Sequence, residues 1–211
     1  LDLVLPETHA IIRNRGYGAD PASVAAAGRA VAEGLLAGGV LPVMKHVPGQ
    51  GRAGLDSHLA LPRIEAPAEA LATDFAPFQA LADLPMAMTA HVIYFALDPE
   101  APATQSAPVV SLIRERIGFD GLLLTDDLSM KALSGDFGTR AQRSLAAGCD
   151  VVLHCNGDRT EMAAIAEAVP PLAGVAAARA ASALALRQPP VGADTGALAA
   201  ELARIGGRAH A

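Results

Sequence analysis

Apolar residues fall into two spacings along this chain, and the spacings alternate. Helical spacing first appears after Asp20 and Pro21. An Asp N-cap with Pro in the first helical position opens a helix that puts Val24, Val31 and Leu35 on one face and ends at Gly38 and Gly39. A continuous apolar run follows at 40–44, then the polar pair Lys45 and His46. Leu71, Phe75, Phe78 and Ala82 predict a second helix, kinked or restarted at Pro77. Residues 86–94 read as a strand, 111–117 as a helix stopped by Gly118, and 121–125 as a short apolar strand running into Asp126 and Asp127. A helix over 139–147 stops at Gly148, and 151–155 is a further strand. From Thr160 on the chain is Ala-rich and helical, broken at Pro170 and Pro171 and again at Pro189 and Pro190.

Strands alternating with helices predict βαβ units and a parallel sheet. Continuous apolar strands predict burial on both faces. Polar residues gather where strands end: Lys45 and His46, His91, Asp126 and Asp127, His154. In a (β/α) barrel that rim carries the chemistry. A doubly wound sheet produces the same distribution, and the pattern alone does not choose between them. With 211 residues the expectation is one domain, 1–211, whose last part, 188–211, is a C-terminal helical tail.

Composition narrows the partners. Hydrophobic residues make up 52% and charged residues 18%, enough for a packed core. A net charge of -6 argues against a basic patch for nucleic acid or an anionic membrane, and favours a small or neutral substrate. No apolar run approaches the roughly 20 residues needed to cross a bilayer. Cys149 and Cys155 flank one strand and are expected to be reduced, partly buried thiols. The first residues carry neither a basic leader nor a Met, and Leu1 to Leu5 read as the end of a buried strand. The expectation is a cytoplasmic protein seen from partway along its chain.

The densest segment for chemistry is 45–58. Gly49, Gly51 and Gly54 have the G-x-G-x-x-G spacing of a dinucleotide site, but such a fingerprint must open a helix, and here loop follows. Asp56 and His58, two apart, can hydrogen-bond, which would orient the imidazole for proton transfer; a solvated surface Asp-x-His is the alternative. Asp126 ends an apolar strand, where a rigid carboxylate can serve as nucleophile or ligand, while Asp127 suits the N-cap of a helix over 128–133. Asp136, Phe137 and Gly138 spell a kinase triplet by chance, since no phosphate loop accompanies them. His46, His91 and His154 could instead join Asp126, Asp56 and His58 as metal ligands of a barrel hydrolase. His9 and His210 have no context and are expected at the surface.

Five ordered stretches are more specific: residues 15–21; 45–49 with 56–58 and 61–62; 88–94; 118–121 with 125–130; and 147–150. Together they resemble the bacterial β-N-acetylglucosaminidases of glycoside hydrolase family 3. The resemblance implies a (β/α)8 barrel, represented by strands four to eight with their helices, and no cofactor or metal. It implies a retaining exo-glycosidase that removes terminal N-acetylglucosamine from muropeptides during cell-wall recycling, acting as a monomer when complete. Carried onto these residues, Asp126 is the nucleophile, His58 the acid/base and Asp56 its partner. Arg15, Lys45 and His46 hold sugar hydroxyls and the acetamido group, and Met88 and His91 line the pocket. Gln50 stands where the family has His. The family's acidic substrate-binding residue belongs to the three β/α units not represented. A silent barrel piece that keeps the motifs without turnover is the non-enzymatic alternative.

Overall fold

Parallel strands β1 (Val43–Val47), β3 (Met86–Thr89), β5 (Leu122–Asp127) and β6 (Val151–Leu153) hydrogen-bond in that spatial order. A small parallel pair joins β2 (Arg63–Ile64) to β4 (Ile93–Tyr94). The helices are α1 (Ala10–Arg13), α2 (Pro21–Ala37), α3 (Ala68–Ala80), α4 (Ala107–Leu112), α5 (Phe137–Ala147), α6 (Arg159–Ala168), α7 (Gly174–Ala185) and α8 (Thr195–Gly206). The computed structural model describes residues 1–206; α8 lies within the segment 188–211, whose last residues, 207–211 with His210, lie outside the described residues.

Local signals explain most element ends. The Asp20 carboxylate accepts from the Ser23 N–H at 2.8 Å and Pro21 begins α2. Asp136 caps α5 by accepting from the Thr139 N–H at 2.7 Å, which accounts for the kinase-like triplet as a helix start. Gly118 and Gly148 end their helices in the left-handed conformation. His9, expected to lack a role, caps α1 through Nδ1.

Four expectations need correction. The strand predicted at 40–44 lies three residues later, so Lys45 and His46 belong to β1 itself. The strand predicted at 86–94 is two strands in two sheets, because residues 90–92 leave β3 before Ile93 and Tyr94 pair with β2. In α2 the buried stripe is Val24, Gly28 and Ala32, while Val31 and Leu35 stay exposed; spacing defined an apolar face without saying which part of it meets a neighbour. Residues 128–133 form turns, not a helix.

Burial differs between the two faces of the sheet. Met44, Ala87 and Leu123 are buried on the helix side. Lys45, Met88, Leu124 and Val151, which occupy one row across the strands, are only half-buried on the opposite side. That side corresponds to a barrel interior, and among the described residues no second layer covers it.

The core lies between the sheet and α3 with α4. Leu71, Phe75 and Phe78 from α3 and Val109, Val110 and Ile113 from α4 and its π-helical extension (Ile113–Ile117) pack with Val47, Ala87, Phe119 and Leu123. Each large side chain so buried contributes about 1.5–3 kcal/mol. Below the core, the buried Asp150 carboxylate accepts from the Leu123 N–H at 2.8 Å, Arg114 at 2.7 Å and Arg179 at 3.1 Å. It thereby ties the start of β5 to α7 and to the π-helical turn.

One close approach positions the functional end. A Cβ on Gly51 would lie 2.1 Å from the Leu3 carbonyl oxygen, a backbone atom that cannot swing away. Gly51→Ala should therefore cost about 2 kcal/mol. For a chain of this size that lowers Tm by about 4–8 °C, measurable by circular dichroism. An unchanged Tm would show that the loop can retreat from Leu3 freely.

Candidate functional site

Parallel strands send their C-terminal ends to one rim, and pleating sends consecutive side chains to opposite faces. Two irregularities overrule that alternation here. Between Lys45 and Val47 the pairing of β1 with β3 gains one residue, and between Leu124 and Asp127 the pairing of β5 with β6 gains another. Such bulges re-aim side chains. As a result both Lys45 and His46, and both Asp126 and Asp127, border one cleft of about 190 Å³. Arg15, Gln50, Ser57, His58, Met130 and Cys155 also line it. The structure thus brings together Asp126, His58, Lys45, His46 and Arg15, with Asp56 behind His58.

Asp126 is held at the end of β5, its side chain 15% exposed, and one of its oxygens accepts from the Asp127 N–H at 2.8 Å. Its other oxygen stands 3.7 Å from His46 Nε2. Asp127 is occupied by structure: it accepts from the Ser129 N–H and the Cys155 N–H, each at 3.0 Å, and from the Ser129 hydroxyl. Burial alone would raise its carboxyl, but these donors and His154 bring it below the usual range. Asp127 thus caps a turn and joins the ends of β5 and β6, rather than starting a helix.

His58 sits on the loop after β1. Its Nδ1 is 2.8 Å from an Asp56 oxygen, which also accepts the His58 backbone N–H at 2.9 Å. The Asp56 carboxyl is lowered: desolvation opposes ionisation, but the backbone and ring bonds of His58 and the charge of His9 outweigh it. An ionised Asp56 accepts a hydrogen bond from the Nδ1–H, which leaves Nε2 to exchange a proton with a ligand. The root of this loop is pinned. Tyr94 donates to the Gly49 carbonyl at 2.9 Å, Thr8 donates to the Gly51 carbonyl at 2.6 Å, and Arg52 donates to Asp74 at 2.7 Å. The glycines that mimic a dinucleotide fingerprint serve this crossing and lead into loop, as their sequence context indicates.

Two expected pocket residues lie elsewhere. His91 is fully buried under the rim, with Nδ1 2.7 Å from the Thr104 hydroxyl and Nε2 3.0 Å from the Asp127 carbonyl oxygen. Burial lowers its pKa, so a neutral ring donates from Nε2 to that carbonyl and supports the end of β5 from behind. Met88 is half-buried in the row beside Lys45 and Leu124 and does not border the cleft. The metal alternative also finds no geometry. His46, His91 and His154 engage Asp2, Thr104 and Glu161 respectively, and among the described residues no three His, Cys, Asp or Glu side chains are grouped to hold an ion. Cys149 is buried, its thiol pushed up to about 12 by desolvation, whereas Cys155 is exposed rather than partly buried.

Sequence reading missed Asp2. It is buried, and it accepts from His46 Nδ1 at 2.7 Å and from the Gln50 N–H at 2.8 Å. Nothing local marked it, because its partners lie more than 40 residues away. Desolvation alone would raise this carboxyl. The charge and hydrogen bond of His46 and the Gln50 N–H instead lower it to about 2. A carboxyl lowered in the folded state stabilises the fold above its unfolded pKa of about 3.9 and loses that contribution as pH falls toward its folded value. Unfolding free energy, measured by urea titration at each pH, should therefore drop between about pH 4 and pH 2, and the drop should be smaller in Asp2→Asn. An equal drop in the variant would assign the titration to other groups.

The chain matches the glycosyl hydrolase family 3 N terminal domain over residues 3–184. It is 41% identical over 151 residues to a beta-hexosaminidase of Methylococcus capsulatus, an alignment covering 69% of this chain and 45% of that protein. With a beta-hexosaminidase of Chromobacterium violaceum the identity is 39% over 170 residues, covering 78% and 48%. NagZ from Neisseria gonorrhoeae, crystallised with N-trifluoroacetyl-D-glucosamine, superposes with a TM-score of 0.76 at 33% identity, covering 90% of this chain and 55% of that one. A family 3 β-N-acetylglucosaminidase from Paenibacillus gives a TM-score of 0.76 at 31% identity, covering 89% and 38%. The chain spans about half the length of the curated relatives it matches. Its parallel sheet and flanking helices are part of a (β/α) barrel, and the chain belongs to glycosyl hydrolase family 3.

Proposed function

We propose that this chain carries the reacting residues of a retaining β-N-acetylhexosaminidase that releases terminal N-acetylglucosamine from peptidoglycan fragments. The observation that carries the reading is the convergence of a strand-end carboxylate and a carboxylate-backed imidazole on one cleft. Such a pair supplies the two groups a retaining mechanism needs. Support for the sugar comes from the relatives, which are named beta-hexosaminidases, and from the N-trifluoroacetyl-D-glucosamine held by the gonococcal protein. The muropeptide aglycone and a cytoplasmic setting belong to the same proposal.

In the first half-reaction the Asp126 carboxylate attacks the anomeric carbon and the bond to the leaving oxygen breaks. The protonated His58 ring gives its Nε2 proton to that oxygen, while Asp56 holds Nδ1 and stabilises the charged ring beforehand. In the second half-reaction His58 takes a proton from water as the water attacks the same carbon and releases Asp126. Arg15 and Lys45 supply donors around the sugar, and His46 faces it through Nε2.

Asp126→Ala should lower turnover of a nitrophenyl N-acetylglucosaminide by about a thousandfold or more while leaving Tm nearly unchanged. Near-normal turnover would remove Asp126 from the mechanism. For His58→Ala the loss should depend on the leaving group: about 10²–10⁴-fold on a muropeptide alcohol, which needs a proton, and far less on a nitrophenolate, which does not. Equal losses on both substrates would contradict an acid role. EDTA should leave activity unaltered. A well-folded chain with no turnover at all would overturn the enzyme reading in favour of a silent barrel piece.

A further inference from the structure

His46 lies between two carboxylates. Nδ1 is 2.7 Å from Asp2 Oδ2, and Nε2 is 3.7 Å from Asp126 Oδ2, too long for a direct hydrogen bond. The ring is nearly enclosed, with side-chain exposures of 6% for His46 and 5% for Asp2. Asp2 also accepts on its other oxygen: from the Gln50 N–H at 2.8 Å and the His46 N–H at 3.3 Å. One carboxylate therefore holds the ring and the backbone of the residue carrying it.

We propose that Asp2 is a positioning residue for this site: by keeping a proton on His46 Nδ1 it leaves Nε2 as the ring atom that faces Asp126 and the sugar. The proposal rests on the glycosidase reading for its consequence, though not for its geometry. The Gln50 side-chain amide also lies 2.9 Å from Nδ1. A single ring nitrogen cannot donate to Asp2 and accept from an amide N–H together. The shorter bond to a charged acceptor is the stronger one, and the Gln50 amide turns its oxygen toward the ring. Asp2 stays ionised across the pH range in which a glycosidase works, since its carboxyl is held near 2.

The two-sided use of Asp2 makes Asp2→Asn a sharp variant. The position of Oδ1 must stay an acceptor, because two backbone N–H groups point at it. The amide nitrogen of Asn then falls at the position of Oδ2, facing His46 Nδ1, and its N–H donates there. Nδ1 must become an acceptor, so the ring proton moves to Nε2. Shape is conserved and the tautomer is reversed, the effect an Asp→Asn change has when a carboxylate orients a catalytic imidazole.

The test is long-range ¹H–¹⁵N correlation NMR on the ¹⁵N-labelled chain without ligand, with His46→Gln used to assign the ring signals. Wild type should show a proton on Nδ1, and Asp2→Asn should show Nδ1 bare and Nε2 protonated. A bare Nδ1 in wild type overturns the proposal, and that measurement stands even when the variant does not fold. A folded variant whose ring signals are unchanged overturns it as well. Kinetics separate it from the enzyme reading. Asp2→Asn should reduce kcat/KM about 10–100-fold when assayed well below the variant's own Tm, which itself falls because the folded-state stabilisation of the Asp2 carboxylate is lost. A reversed tautomer with unchanged kcat/KM overturns the positioning role. A reversed tautomer in a chain that never turns over substrate keeps Asp2 as the ring's orienting group and removes only the glycosidase.

Discussion

Pleating sends neighbouring side chains of a strand to opposite faces, so a strand end normally delivers only one of two consecutive residues to a cleft. In this chain β1 and β5 each take one extra residue at the rim, and both members of the Lys45–His46 and Asp126–Asp127 pairs reach the same cleft. The site depends on that local breach of regularity. Without it, either the cation or the imidazole of β1 would turn toward the helices, and only one of the two aspartates would reach the rim. The helical layer explains how the breach is tolerated, since α3 and α4 grip the strands lower down through Phe75, Phe78, Val109 and Ile113.

The two groups proposed to react are supported differently. Asp126 sits on a strand whose end is braced from beneath by neutral His91 and from beside by Asp127, each bonded to backbone. His58 sits on a loop whose root is pinned by Tyr94, Thr8 and Arg52, while its own ring is 56% exposed. A rigid carboxylate beside a more exposed imidazole fits the proposed reaction, in which leaving group and water use the same face in turn. Asp2 adds a third kind of support, a carboxylate that binds ring and backbone together and joins the segment before α1 to the end of β1.

The helix and strand alternation was legible because both periods were clean, and Gly118, Gly148, Asp20 and Asp136 behave as ordinary caps. The ordered motifs led to the family, and the family match and superpositions support that part. Less was legible where an element depends on a distant partner. Residues 86–94 read as one strand, yet β3 ends at Thr89 because Ile93 and Tyr94 pair with β2. Val31 and Leu35 share helical spacing with Val24, yet the packing of α2 against α3 buries Gly28 and Ala32 instead.

His91 and Met88 carry the same lesson at the site. Position near a strand end made both look like pocket residues, but whether a side chain points into the cleft, under it or along the sheet is set by register and bulges. By itself the sequence determined which elements form, which residues could do proton transfer and nucleophilic chemistry, and which family the motifs fit, because each of those rests on local spacing or on residue type. Tertiary structure alone decided that Lys45 joins His46 in one cleft, that His91 is a brace, and that Asp2 holds His46. Those outcomes rest on strand register and on contacts between residues more than 30 positions apart, which no local pattern encodes.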